Sequence, residues 1–162
     1  MASVYRRSIL ETAALPPELG PCLDRWMGYL ASQGGMGAYY IPERLTYYRV
    51  HAASYTASTK QSLQQTIERQ QGHIYYSKRL LNDPAYKAFY GSLRRACSIN
   101  FLVLANAYRA YNRQAEARAH YIQSLQWHPN LKSLAGLLLC SLPLPNRQKD
   151  GAVQQPHGSR GS

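Results

Sequence analysis

Acidic residues are scarce in this chain of 162 residues: 8 Asp and Glu stand against 19 Lys and Arg, for a formal net charge of +11. No two aspartates fall close together, which excludes a metal site built on a local aspartate pair. The balance suits anionic partners such as nucleotide phosphates, nucleic acid or a membrane surface. The basic residues come no denser than doublets, Arg6-Arg7, Lys78-Arg79 and Arg94-Arg95. No recognised nucleic-acid motif accompanies them, so a solvated basic surface accounts for the charge and no nucleic-acid partner is expected.

Cysteine is also sparse. Cys22, Cys97 and Cys140 are odd in number and far apart, with no Cys-x-x-Cys pairing. Free thiols in a reducing compartment are the simplest account. Long apolar runs are missing. The most apolar run, Leu134 to Cys140, is far shorter than the roughly 20 residues that span a bilayer. Met1 to Arg7 leads into no apolar segment of a secretory signal. These absences predict a cytoplasmic protein with no membrane span. What is present is a globular composition, 45% hydrophobic, in a chain long enough for one sizeable core or for a small domain with an appendage.

Gly37 to His51 is the stretch with the most concentrated chemistry. It is rich in aromatic and β-branched residues and broken once by Pro42-Glu43, the pattern of two strands with a turn between them. Alternation along the second strand puts Leu45, Tyr47, Arg49 and His51 on one face. A phenol, a guanidinium and an imidazole in a row suit phosphate, metal or sugar hydroxyls. An edge strand with a polar outer face gives the same alternation.

Around it the chain reads as helices. Ala2 to Leu10 runs from a strand or turn into a short helix, which Pro16-Pro17 stops. Pro21 suits the first turn of a helix through about Ser32, with Leu23, Trp26, Met27, Leu30 and Ala31 as its buried stripe. Asp24 sits on its first turns, where an acid complements the positive helix end. Ser54 to Ser58 is a polar linker. Thr59 to Leu81 reads as one long helix, with Leu63, Ile67, Ile74 and Leu81 on one stripe and glutamines opposite. Asp83 then caps a new helix with Pro84 at its first position. Tyr86, Phe89 and Tyr90 form its apolar side, and Gly91 interrupts it.

Two resemblances follow from ordered sets of residues. Tyr5-Arg6-Arg7-Ser8, Pro17-Glu18-Leu19-Gly20, Asp24-Arg25-Trp26-Met27, Tyr39-Tyr40-Ile41-Pro42-Glu43-Arg44-Leu45 and Tyr48-Arg49-Val50-His51 together resemble the C-terminal part of family-2 glycosyltransferases. That resemblance covers about residues 2–57. It implies inverting sugar transfer from a nucleotide-sugar donor on an α/β nucleotide-sugar-binding fold. It implies roles as well: Asp24 as the carboxylate that deprotonates an acceptor hydroxyl, Arg49 and Tyr47 toward donor diphosphate, His51 toward a bridging divalent metal, Mn or Mg. Each has a plainer alternative: helix-start electrostatics for Asp24, a salt bridge to Glu43 or Asp24 for Arg49, backbone bonding for His51. Pro21 and Cys22 stand where many members carry an acidic pair. The family's donor half, with its parallel sheet and Asp-x-Asp-like motif, has no counterpart in this sequence. The resemblance therefore implies a portion inactive alone, with no cofactor of its own, meeting nucleotide sugar and acceptor through a separate donor domain. A truncation, a split gene or a misplaced start would each give such a portion.

Farther on, Phe101, Leu104, Ala105, Tyr108, Ala117, Tyr121, Ser124 and Pro129 fall where a tetratricopeptide repeat places its large, small and helix-ending residues. Ser98 to Tyr111 and Gln114 to Trp127 thus resemble one helical hairpin turning at Asn112-Arg113. Asn130 to Ser141 is expected as a capping helix with Leu131, Leu134 and Leu138 inward. Leu142 to Ser162, rich in Pro, Gln, Gly and Ser, is expected to be disordered.

The expected organisation is a glycosyltransferase C-terminal segment at 1–57, a helical tail at 58–143, tetratricopeptide-like at 98–129, and a disordered end at 144–162. The expected fold class is mainly α with a small β-hairpin (α+β), as a C-terminal fragment of the glycosyltransferase α/β fold with a helical tail. A non-catalytic helical interaction module is the alternative function. Self-association or a partner chain is expected through the 1–57 region.

Overall fold

A computed structural model describes residues 7–12, 14–33 and 62–141 of the chain. Six α-helices account for most of them: α1 (Arg7–Thr12), α2 (Leu23–Gln33), α3 (Leu63–Leu81), α4 (Tyr90–Ala110), α5 (Gln114–Trp127) and α6 (Leu131–Leu139). Short 3₁₀ turns at Pro17–Leu19 and Pro84–Phe89 precede α2 and α4.

The expected α+β class is corrected. No strand occurs among the described residues, which form an all-α arrangement with no sign of the glycosyltransferase α/β fold. The physical reason is periodicity. Apolar residues in α2, α3 and α4 recur at helical spacing and bury one stripe each, and no described segment alternates as a strand must. The hairpin at 37–51, the linker at 54–58 and the end at 142–162 lie outside the described residues.

α3 begins with a capping box. The Ser62 hydroxyl accepts from the Gln65 N–H while the Gln65 side chain accepts from the Ser62 N–H, an arrangement worth about 1 kcal/mol. The stripe expected on α3 is only partly the buried one. Ile74 is buried, with Leu80, Ser77 and Gln70, while Leu63, Ile67 and Leu81 are half-buried. Gln70 on the buried side departs from the expected polar face, because α3 is covered on two sides: the Pro17–Leu19 turn crosses it and α4 lies along it.

Asp83 caps the Pro84 turn as expected, its carboxylate accepting from the Ala85 N–H at 3.0 Å. Gly91 interrupts nothing. It lies in the first turn of α4, which runs on for 21 residues. α4 packs along α3 on one side and α5 on the other. Ala105 and Ala117 are fully buried where α4 meets α5, and small side chains there let the helices come close. The α4–α5 turn places Asn112 at φ 58°, a conformation Asn tolerates better than most residues.

α6 presents the opposite face to the one expected. Leu131, Leu134 and Leu138 are exposed, whereas Ser133 and Gly136 are buried. Two contacts decide the face. A Cβ at position 136 would overlap the Tyr121 ring, so only glycine permits that approach. Ser133 and Ser124 share a hydrogen bond of 2.7 Å, and Ser124 donates to the Ser98 carbonyl at 2.7 Å. Asn130 starts the helix by accepting from the Ser133 N–H at 2.8 Å. Close approach and a satisfied polar network outweigh the leucines, which would prop the helices apart.

Candidate functional site

The Pro17–Leu19 turn and the start of α2 meet the middle of α3 at Gly72. A Cβ there would overlap the Leu19 carbonyl oxygen, so the absent side chain sets the spacing. The same approach brings Cys22 against His73, with Sγ 3.2 Å from Nδ1, and places Sγ 3.6 Å from the Arg69 carbonyl oxygen. Beyond the pair, Leu19, Trp26, Tyr29 and Leu80 form one buried cluster. The Trp26 indole N–H donates to the Ala14 carbonyl at 2.9 Å. At the far end of α2, Tyr29 and Gln33 both donate to Asp83, at 3.2 and 2.6 Å. α2 is therefore held to α3 and its following turn at both ends.

Burial pushes the Cys22 thiol above its ordinary 9.0, against the pull of Arg25 and Arg69. Burial, then Arg25 and Arg69, hold the His73 imidazole below its ordinary 6.5, with Asp24 opposing. At neutral pH the pair is thus thiol and neutral imidazole. It is not the thiolate–imidazolium couple that makes a cysteine nucleophilic. Asp24, two residues beyond Cys22, is exposed on the first turn of α2, and one of its oxygens accepts from the Arg25 N–H at 2.8 Å. The joint thus offers an exposed carboxylate beside Arg25, with Arg69 and a neutral imidazole close by. That set can accept a proton from a hydroxyl or pair with an anion.

A second feature is a groove of about 520 Å³ between the Pro17–Leu19 turn, α3, α4 and α5. Ile74, Phe101 and Leu104 are buried at its base. Lys78, Phe101 and His120 line it and belong to a run of aromatic and cationic contacts that continues past it. The Arg113 guanidinium lies over Tyr108, Tyr108 stacks on His120 at 5.1 Å and His120 on Phe101 at 6.0 Å. The Lys78 ammonium sits between the Phe101 and Trp127 rings, 6.0 and 5.7 Å from their centroids. Contacts of this kind are worth about 0.5–1 kcal/mol each at exposed sites.

Of the residues singled out from the sequence, Asp24 is placed as described. Arg49, Tyr47 and His51 lie outside the described residues. Among the described residues no group of three His, Cys, Asp or Glu is placed to hold a metal ion; Cys22 and His73 supply only two donors. Sequence reasoning missed the Cys22–His73 pair because 51 positions separate the partners. No local spacing encodes their meeting, and the only available signal was a glycine beside a histidine in an otherwise strong helix.

Compared with known proteins, the chain matches no family model, no curated protein and no solved structure. No described helix is long and apolar enough to cross a membrane.

Proposed function

We propose that the chain serves as the acceptor-side portion of a family-2 glycosyltransferase, working with a donor-binding partner. The observation that carries the reading is Asp24, an exposed carboxylate on a helix anchored at both ends. Such a group is held in position at little entropic cost on the solvent-facing side of the helix, where a general base for a hydroxyl can act. The motifs of residues 5–51 point the same way. In this reading Asp24 takes the acceptor proton, Arg49 and Tyr47 meet donor diphosphate, and His51 faces a divalent metal. A metal would supply charge neutralisation of the diphosphate; no described cluster fits one, and the described residues contribute no step through it.

The purified chain, given nucleotide sugars with manganese or magnesium, is expected to show neither hydrolysis nor transfer. In saturation-transfer NMR it should contact saccharides by itself, and nucleotide sugars only once a donor-binding partner is added to hold the diphosphate. Metal-dependent turnover by the chain alone, lost in His51→Ala, would overturn the division of labour. Binding of nucleotide sugars without saccharides would overturn the acceptor-side assignment.

The groove over Ile74, Phe101 and Leu104 favours a second reading, a non-catalytic helical interaction module. It predicts no saccharide contact, and a protein partner whose binding is lost in Lys78→Glu.

A further inference from the structure

The outward face of α6 is almost wholly leucine. Leu131 is 83% exposed, Leu138 62%, Leu134 46% and Leu139 45%, and Ala135 beside them is exposed as well. Single exposed leucines are ordinary; four on one face of a nine-residue helix form a patch. The inward face is fixed by Gly136 against Tyr121 and by Ser133 in the serine network. The helix therefore cannot roll to hide its leucines without breaking both.

The charge around this patch has one sign. Lys132 lies on α6, and Arg109 and Arg118 lie near enough to its C-terminal end for their charges to act on Cys140. From residue 84 to residue 141 the sole acid is Glu116, against seven lysines and arginines. Glu116 is itself paired with Arg113. A second copy of the chain would bring like charges face to face. A surface that is negative outside and apolar beneath complements both properties at once. Nine residues rise only about 13 Å, less than half of the ~30 Å hydrocarbon core, so α6 fits such a surface lying flat.

We propose that the leucine face of α6 docks the protein reversibly on an anionic phospholipid surface. The leucines enter the headgroup–acyl boundary, and Lys132, Arg118 and Arg109 meet lipid phosphates. The association is independent of the sugar-transfer reading and adds a location to whatever chemistry the joint at Asp24 performs.

The test is sedimentation of the full chain with vesicles of phosphatidylcholine alone and of phosphatidylcholine mixed with phosphatidylglycerol. Binding is expected to the anionic vesicles and not to the neutral ones. It should weaken by roughly tenfold or more as salt rises toward 0.15 M, where screening acts over about 8 Å. The double variant Leu134→Gln/Leu138→Gln should bind at least about tenfold more weakly with an unchanged far-ultraviolet circular dichroism spectrum, since both side chains face outward. Lys132→Gln/Arg118→Gln should lose the preference for anionic lipid. Three outcomes would overturn the proposal: no binding to anionic vesicles at low salt, undiminished binding by the leucine variant, or a dimer that the leucine variant dissolves.

Discussion

At Gly72 and at Gly136 the same device, a missing side chain, lets two segments meet, yet the two junctions are built differently. Gly136 faces the ring of Tyr121, inside a set of serines whose hydroxyls satisfy one another. Gly72 faces a backbone carbonyl, beside a thiol and an imidazole kept neutral by burial. The first junction joins the consecutive helices α5 and α6, and its ionisable groups, the Tyr121 phenol and the Cys140 thiol packed beside it, are both pushed up by burial and so charge only in alkali. The second joins segments some 50 residues apart and depends on a thiol and an imidazole whose neutral forms burial favours, the imidazole open to charging in acid and the thiol in alkali. Junctions that look alike in packing therefore differ in what can undo them.

Gly72→Ala should have the largest effect. Its methyl meets a backbone oxygen, which cannot rotate aside, so α2 and its preceding turn must lift from α3. Overpacking of this kind costs about 1–3 kcal/mol, concentrated in residues 14–33. Trp26 fluorescence, isolated by Trp127→Phe, should shift to the red while most helical signal persists. An unshifted spectrum would mean that α2 does not rest on α3.

Ser124→Ala comes next. It removes the hydroxyl that bonds the Ser98 carbonyl and the Ser133 hydroxyl, leaving buried partners unsatisfied at about 1–3 kcal/mol. Urea unfolding followed by circular dichroism should show the loss across α4–α6, with Trp26 emission unchanged before the transition. A neutral result would show that water or rotation re-satisfies the network.

The smallest effect is that of pH. His73 has its pKa lowered by burial, so its contribution is complete above 6.5 and is lost as pH falls through the depressed value. Cys22 has its pKa raised, so its contribution is complete below 9.0 and is lost as pH rises through the elevated value. Trp26 emission should hold constant between those limits and shift on both sides. His73→Gln should abolish the acid limb alone; an acid limb that persists in that variant would assign it to another group.

The helices were legible because their signals are local. Proline at 21 and 84, Asp83 before Pro84, and the small residues Ala105, Ala117 and Ser124 announced turns, caps and a close hairpin. What escaped was decided between segments. The leucines of α6 read as a core stripe by hydrophobicity alone, and only the Tyr121 ring, 15 residues earlier, shows why Gly136 had to face inward. The α+β class failed for a related reason. It rested on the strand pattern of Gly37 to His51, which lies outside the described residues, and on the resemblance of residues 2–57, whereas the described segments carry helical periodicity. Of the candidate site, Asp24 was visible as an acid on a first turn, while Cys22 and His73 acquire meaning only once α2 lies on α3.

Asp83 makes two demands on a single position. One of its oxygens starts the turn into α4 through the Ala85 N–H; the other receives the Tyr29 phenol and the Gln33 amide. Serine or asparagine can answer the first demand, as at most helix starts. Neither offers a second acceptor oxygen for two incoming donors. The residues tolerated at 83 are thus the intersection of two otherwise unrelated sets, and that intersection is nearly a single amino acid. A survey of substitutions there would find serine able to begin α4 and unable to hold α2, splitting into two phenotypes what the native residue keeps in one.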